Sequence, residues 1–173
     1  MFALVLTGPP GAGKTDVLGA LSDQLVADDV RHATVEVEAL TAAYPALDDE
    51  RWPAPVRAVC ELYRRFGYER LLVTVTVETH RDLDATVAAI GADSCAVVRL
   101  EADPATLRER IVAREPDGWP GLDELLAASE RLSPLIAALD GIDLVLSTDG
   151  ERPESIAERI RSAFPSALRP GQL

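Results

Sequence analysis

The sequence predicts an α/β fold in which a parallel sheet is covered by helices on both faces. Short runs of apolar and β-branched residues alternate along the chain with longer stretches of helical periodicity. Such alternation is typical of right-handed β–α–β crossovers. A glycine-rich segment, residues 8–15, separates the first apolar run from the first helical stretch. At 173 residues, the chain is expected to form one domain over residues 1–165, followed by a flexible tail, 166–173.

Five segments have the composition of strands. Residues 2–7 form a short apolar run, as expected of a strand that is buried on both faces. Residues 71–77 are the clearest strand, because β-branched residues predominate in them. The other predicted strands are 33–38, 95–100 and 143–147.

Helical segments lie between these strands. In the first, which follows the glycine-rich segment, apolar residues recur at helical spacing from Val17 to Val26 without an intervening proline. Pro104 and Pro153 stand where two later helices would begin, a position that proline favours. The remaining predicted helices are 54–66, 81–90, 104–114, 121–139 and 154–164.

The glycine-rich segment has the sequence Gly-Pro-Pro-Gly-Ala-Gly-Lys-Thr, a complete G-x-x-x-x-G-K-[ST] phosphate-binding loop. Its glycines let the backbone turn tightly and aim successive N–H groups at one point. Lys14, the only lysine of the chain, can reach the β- and γ-phosphates, and the Thr15 hydroxyl can bind Mg²⁺. The motif therefore predicts that ATP or another nucleoside triphosphate binds with Mg²⁺. The residues expected to contact it here are Gly8, Pro10, Gly11, Ala12, Gly13, Lys14 and Thr15.

Charge and composition exclude several other classes of protein. The formal net charge is −12, and no Lys/Arg cluster is large enough to follow a nucleic-acid backbone. No apolar run reaches membrane-spanning length, and Met1 leads directly into the first strand, so no signal peptide is expected. Cys60 and Cys95 lack the spacing of metal ligands and are expected to be buried thiols. These features predict a cytoplasmic protein, a monomer or homodimer.

A family resemblance follows from two segments. One is the phosphate-binding loop, and the other is the run RLEADPATLRERIVAR at 99–114, where Arg110 and Arg114 lie four residues apart on one helix face. Residues 2 to about 164 resemble the small P-loop kinases of the shikimate, gluconate, adenylylsulfate and nucleoside monophosphate kinase group. The opening TGPPGAGKT … EVEALTAAYP is most similar to that of uncharacterised actinobacterial proteins. The resemblance implies a five-stranded sheet of order 2-3-1-4-5.

The resemblance also implies a lid, residues 110–131 approximately, that closes over the nucleotide. One lid arginine, Arg110, would stack on the nucleobase, and Arg114 would contact the transferred phosphate. The alternative is that both arginines belong to a solvated helix face. The loop after the fifth strand would wrap the nucleobase through its backbone and Thr148, unless it is an ordinary strand-to-helix turn.

Three glutamates near the carboxyl ends of predicted strands are candidates for Mg²⁺ and acceptor chemistry. Related kinases carry an acidic-x-acidic pair, usually aspartates, where this chain has Glu36-Val37-Glu38. Strand alternation would place both glutamates on one sheet face. Glu38 is predicted to act on the acceptor hydroxyl, or else to be a solvent-facing strand end, and Glu36 to contact the acceptor. Glu78 is predicted to serve Mg²⁺ through water.

Residues 44–53 occupy the position where this kinase group builds its acceptor pocket. Tyr44 and Trp52 are expected to form pocket walls, and Arg57 and Arg81 to meet an anionic group of the substrate. The acidic run Asp48-Asp49-Glu50 would repel a highly anionic acceptor unless Arg51 or Arg57 screens it. This composition favours a neutral or cationic metabolite that carries a hydroxyl group.

Two functions are compatible with these features. The first is a small-molecule kinase that transfers the γ-phosphate of ATP to a hydroxyl group. The alternative is a regulatory nucleotide-binding NTPase or switch without a small-molecule acceptor. The chain has no N-K-x-D motif of the GTPase type, and its arginine-rich lid segment favours the kinase.

Overall fold

The computed structural model describes residues 1–169 and has a five-stranded sheet at its centre. All pairings in the sheet are parallel, and the strand order is β2-β3-β1-β4-β5. This confirms the predicted fold class and strand order. The strands are β1 (Phe2–Thr7), β2 (Ala33–Glu36), β3 (Arg70–Thr74), β4 (Ser94–Glu101) and β5 (Leu144–Ser147).

Helices connect successive strands. Prolines stand at the first position of several of them, where the missing N–H costs no hydrogen bond. None of the helices within residues 1–169 combines the length and apolarity that crossing a membrane would need. The helices are α1 (Lys14–Ala27), α2 (Val37–Thr41), α3 (Pro53–Arg65), α4 (His80–Ile90), α5 (Pro104–Arg114), α6 (Leu122–Ala137), α7 (Pro153–Ala163) and α8 (Pro165–Leu168).

The sheet is buried on both faces, as its apolar strands predict. Alternate residues of β1 enter two separate cores: Val5 packs in the core that α3, α4 and α6 cover, and Leu6 packs in the core that α1 and α7 cover. Cys60 is buried and Cys95 is half-buried, and both thiols are unoxidised. Burial raises the pKa of each thiol to about 11, so both remain protonated and inert near neutral pH.

The second and third strands are shorter than the sequence predicts. β2 lies at the edge of the sheet, and its register with β3 ends at the pair Glu36 and Thr74. Without a partner beyond that pair, the chain turns into α2 at Val37. Glu38 therefore lies in the first turn of a helix, and the prediction that Glu36 and Glu38 share one strand face is wrong.

The first four residues of the predicted tail, 166–169, lie within the described structure. These residues include most of α8, which packs Leu168 into the second core. The Arg70 side chain donates a hydrogen bond from Nε to the carbonyl oxygen of Ala167 (2.7 Å) and fastens this helix to β3. Residues 170–173, the rest of the predicted tail, lie outside the described residues.

Candidate active site

The phosphate-binding loop joins β1 to α1 in a conformation that requires glycine. Gly8, Gly11 and Gly13 all have positive φ angles, of 150°, 85° and 86°. Space is restricted as well: a Cβ atom on Gly8 would collide with the carbonyl oxygen of Leu100, and one on Gly11 would lie 2.7 Å from that of Leu107. Side chains at these two positions are therefore excluded by both backbone angle and contact.

Lys14, the first residue of α1, folds back over the loop. Its Nζ atom donates hydrogen bonds to the carbonyl oxygens of Gly8 (2.8 Å) and Pro9 (3.3 Å). Burial lowers the pKa of Lys14 to about 8; the negative charge of Glu38 opposes this shift and the positive charge of Arg114 adds to it. Both side chains are thus close enough to act electrostatically on the ammonium group.

A cleft of about 500 Å³ opens between the loop and α5. Several predicted nucleotide-binding residues line it, whereas the Ala12 side chain is buried beneath the loop and Gly8 lies outside the lining. The N-terminus of α1 faces this cleft with its first turn, an arrangement that favours anions. The lining residues are Pro10, Gly11, Gly13, Lys14, Thr15, Asp16, Arg110, Ala113 and Arg114.

Arg110 connects the loop to the segment after β5. It donates hydrogen bonds to the carbonyl oxygen (2.7 Å) and the Oγ1 atom (2.8 Å) of the buried Thr148, and a longer one to the carbonyl oxygen of Gly11 (3.4 Å). Arg110 and Thr148 also line a smaller cavity of about 260 Å³ next to the cleft. The structure therefore brings together Gly11, Arg110 and Thr148, all predicted to bind the nucleotide.

Arg114 lies one helical turn beyond Arg110 and lines the same cleft, as their spacing predicts. Its side chain is 62% exposed, and its Nε atom donates a hydrogen bond to Oε1 of the adjacent Glu115 (2.8 Å). Arg114 makes no described contact with the core. It is therefore available to a ligand in the cleft, in contrast to Arg110, which holds two segments together.

Glu36, rather than Glu78, is the carboxylate that contacts Thr15. The Thr15 hydroxyl donates a hydrogen bond to Oε2 of Glu36 (3.1 Å). Glu78 instead accepts two hydrogen bonds from Arg131 (2.8 and 3.2 Å), because β3 ends at Thr74 and the following residues run towards α6. The structure therefore brings Glu36, and not Glu78, into contact with Thr15.

Thr15 and Glu36 supply oxygen atoms of the kind that Mg²⁺ prefers. Within residues 1–169, no group of three or more His, Cys, Asp or Glu side chains forms a metal cage. Mg²⁺ typically binds through one or two protein oxygens together with water and phosphate oxygens, so this pair fits a nucleotide-bound magnesium ion.

A separate cavity of about 380 Å³ lies between α2, the loop before α3, the segment after β3 and the start of α4. Glu38 reaches into its lining, where Oε1 accepts a hydrogen bond from the backbone N–H of Thr76 (2.6 Å). Trp52 forms a wall, as predicted. The lining residues are Val37, Glu38, Thr41, Asp49, Trp52, Val75, Thr76, Val77, Glu78, Asp82 and Thr86.

Three predicted substrate-binding residues lie outside this cavity. Tyr44 is fully exposed. Arg57 and Arg81 are exposed on α3 and α4, whose apolar residues face the core and leave these arginines on the outer side. Tyr44, Arg57 and Arg81, all predicted to contact the acceptor, therefore do not line this cavity.

Sequence reasoning missed Thr76, Asp82 and Thr86 as cavity residues. A local signal existed for Asp82, which forms a capping box with Thr79: each side chain accepts a hydrogen bond from the other residue's backbone N–H. That signal locates the start of α4. Which side of the helix faces a cavity depends on tertiary packing.

Comparisons with known proteins agree with this architecture. A family model described as an AAA domain matches residues 4–133. The chain is similar in structure to a sugar kinase from a Janibacter species (22% identity, 99% of each chain covered, TM-score 0.68). It is also similar to a gluconokinase from Sinorhizobium meliloti (19% identity, 96% of this chain and 93% of that chain covered, TM-score 0.66).

The APS kinase of Mycobacterium tuberculosis, in complex with AMPPNP and APS, is a further similar structure (14% identity, 94% of this chain and 96% of that chain covered, TM-score 0.65). At these identities the likeness concerns the fold, which is that of small P-loop kinases. No curated protein matches the chain in sequence.

Proposed function

The chain belongs to the AAA domain family, and from this membership and the geometry of its clefts we propose that it is an ATP-dependent phosphotransferase. It moves the γ-phosphate to a hydroxyl group of a small molecule. One observation carries the proposal: Thr15, which lines the phosphate cleft, donates a hydrogen bond to Glu36 (3.1 Å), and the next two residues, Val37 and Glu38, line the second cavity. Direct transfer requires such an approach of donor and acceptor sites.

The nucleotide occupies the cleft beside the loop. Its phosphates accept hydrogen bonds from the backbone N–H groups of the loop, and Lys14 exchanges its two carbonyl partners for the β- and γ-phosphates. The nucleobase lies on the Arg110 and Thr148 side, where the smaller cavity adjoins the cleft. Arg114, at the rim, contacts the transferred phosphate. ATP or another nucleoside triphosphate fits this arrangement.

Thr15 and Glu36 hold the magnesium ion, Thr15 through its hydroxyl and Glu36 directly or through a water molecule. The ion supplies neutralisation of charge on the β- and γ-phosphates. This assignment replaces Glu78, whose carboxylate forms an ion pair with Arg131.

We expect Glu36→Gln to raise the Mg²⁺ concentration needed for half-maximal nucleotide binding by roughly tenfold, because the amide lacks the charge that attracts the ion. The measurement is a Mg²⁺ titration of nucleotide affinity by calorimetry. Glu78→Gln is the matched control and should leave the titration unchanged. A shift for Glu78→Gln and none for Glu36→Gln would restore Glu78 as the Mg²⁺ residue.

Glu38 acts at the acceptor. The acceptor oxygen forms a bond to the γ-phosphorus, the bond from that phosphorus to the β,γ-bridging oxygen breaks, and ADP leaves. The proton of the acceptor hydroxyl passes to the Glu38 carboxylate. The backbone N–H of Thr76 holds one oxygen of this carboxylate (2.6 Å), so the other oxygen is free to orient the hydroxyl in line with the phosphate.

We expect Glu38→Gln to lower acceptor-dependent turnover by about a hundredfold or more, the usual contribution of a general base. Nucleotide affinity should stay nearly unchanged, because the Gln side-chain oxygen can still accept the hydrogen bond from Thr76. The assay incubates a fractionated metabolite pool with Mg²⁺ and γ-labelled ATP and measures labelled product. Glu61→Gln, on an exposed position of α3, is the matched control.

The same assay separates the kinase from a regulatory NTPase. A kinase hydrolyses ATP slowly until an acceptor is present, because water is a poor substitute in a closed site. Steady hydrolysis that no acceptor fraction changes, with no labelled product, would overturn the phosphotransferase and favour the regulatory NTPase.

A further inference from the structure

We propose that the acceptor is a cationic molecule that carries a hydroxyl group, such as an amino alcohol. The inference rests on the proposed function, since it takes the cavity beside Glu38 as the acceptor site. The juxtaposition that carries it is a cavity with four carboxylate side chains and a tryptophan wall next to the phosphate-binding loop.

The lining of this cavity carries negative charge without an internal counterion. Its carboxylates belong to Glu38, Asp49, Glu78 and Asp82, and no Lys, Arg or His occurs among its lining residues. Arg131 offsets one of these charges through its ion pair with Glu78. Among the described residues the other three carboxylates form no ion pair, so the cavity attracts a cationic ligand and would repel an anionic acceptor.

The nearest arginines of the sequence do not screen this cavity. Arg51 forms an ion pair with Asp48, to which its Nε atom donates a hydrogen bond (2.8 Å). Arg57 and Arg81 lie outside the lining of the cavity. The contacts with Arg131 and Arg51 also hold the pKa values of Glu78 and Asp48 below their usual range. These two carboxylates therefore remain ionised at neutral pH.

One feature of the cavity favours anions, namely the N-terminus of α4. A helix N-terminus is equivalent to about half a positive charge. The capping box already places the Asp82 carboxylate there, where it accepts hydrogen bonds from the Thr79 backbone N–H (3.0 Å) and hydroxyl (2.8 Å). The half charge is smaller than the three uncompensated carboxylates, so the cavity as a whole favours a cation.

The charges also orient the acceptor. Glu38 lies two residues after Glu36, which accepts a hydrogen bond from Thr15 of the phosphate-binding loop (3.1 Å), so the Glu38 end of the cavity is nearest to the transferred phosphate and takes the hydroxyl group of the acceptor. The lining also includes Asp49 and the half-buried Trp52. A carboxylate beside an aromatic face is a favourable environment for an ammonium group, through charge pairing and cation–π attraction.

The test compares three probes with one six-carbon polyol frame: glucamine, sorbitol and gluconate, which end in an ammonium, a hydroxyl and a carboxylate group. Trp119→Phe leaves Trp52 as the only tryptophan, so its fluorescence reports on the cavity. With Mg·AMPPNP present, glucamine should bind about fivefold more tightly than sorbitol, as expected of partly exposed charge pairs, and gluconate most weakly.

Asp49→Asn should reduce the preference for glucamine, whereas Asp48→Asn should keep it, because Asp48 is paired with Arg51 outside the cavity. Equal or tighter binding of sorbitol or gluconate, or no saturable binding of glucamine, would overturn the cationic acceptor. The phosphotransferase is tested separately with ATP. If glucamine binds but no acceptor is ever phosphorylated, the proposed function is overturned, and what remains is a cavity that prefers a cationic ligand.

Discussion

Lys14→Ala should remove nearly all nucleotide-dependent activity while the protein remains folded. The ammonium is expected to make charged hydrogen bonds to two phosphates, so its loss should weaken nucleotide affinity by roughly a hundredfold and turnover by about a thousandfold. The fold should persist because the described hydrogen bonds of Lys14 go only to Gly8 and Pro9 in its own loop. Calorimetry and thermal unfolding are the measurements.

The thermal midpoint of Lys14→Ala should not fall, because the lowered pKa of Lys14 shows that burial disfavours its charge. Undiminished nucleotide affinity together with normal turnover would contradict the phosphate-binding role of the loop. An unfolded variant would instead show that Lys14 supports the loop structurally, and Lys14→Met, which keeps the aliphatic chain, would then be measured in its place.

The pH dependence of nucleotide binding to the unmodified protein is a second test of the role of Lys14. Its pKa of about 8 means that the amine is mainly protonated at pH 7 and mainly neutral at pH 9. Bound phosphates favour the ammonium form, so binding at pH 9 should take up a proton and affinity should fall as pH rises above about 8. Calorimetry in buffers of different ionisation enthalpy detects this uptake, which should be small at pH 7.

The parts of the fold that the sequence predicts correctly depend on local patterns. The apolar run of β1, the glycines of the loop and the helical spacing of α1 follow one another directly in the chain. A phosphate-binding loop needs a strand before it and a helix after it, so each of these patterns supports the others. Pro104 and Pro153 stand at the starts of α5 and α7, as expected. The presence of the strands and helices can be predicted from the spacing of apolar residues, because both faces of the sheet are buried and each element has an apolar side.

The errors concern features that only tertiary structure determines. β2 stops at Glu36 because its pairing with β3 ends there, and nothing in the alternation of Glu36, Val37 and Glu38 shows this. The loop before α3 carries two aromatic residues, and nothing in the sequence shows which of them lines a cavity and which is exposed. Packing turns Trp52 into the cavity and leaves Tyr44 in solvent.

The carboxylates illustrate the same limit. Glu36, Glu38 and Glu78 all follow apolar segments, so each was a reasonable candidate for either Mg²⁺ or the acceptor. The structure gives each a different partner: Thr15 for Glu36, the Thr76 backbone for Glu38, and Arg131 for Glu78. Those partners are between 21 and 53 residues away along the chain, beyond the reach of local patterns.

Arg114→Ala should slow phosphoryl transfer by about a thousandfold, the lower range for an arginine that stabilises the transferring phosphate. Its guanidinium lines the phosphate cleft, acts on Lys14, and in the free protein contacts only the adjacent Glu115 among its described partners. A phosphate competes well with that single exposed carboxylate. Because no core contact is lost, the thermal midpoint should change little. Single-turnover kinetics with the identified acceptor measure the transfer step.

Arg110→Ala provides the contrast on the same helix face. Removing Arg110 leaves the buried oxygens of Thr148 without their guanidinium partner, so we expect a stability loss of about 2 kcal/mol together with weaker nucleotide binding. Arg108→Ala is the matched control: this exposed arginine of α5 lies 4.0 Å from Glu130, outside the cleft, and its loss should affect neither measurement. If the Arg114→Ala variant transfers phosphate as fast as the Arg108→Ala variant, Arg114 does not act on the transferred phosphate and is part of a solvated helix face. Arg110 would then be the one remaining candidate among the two predicted lid arginines.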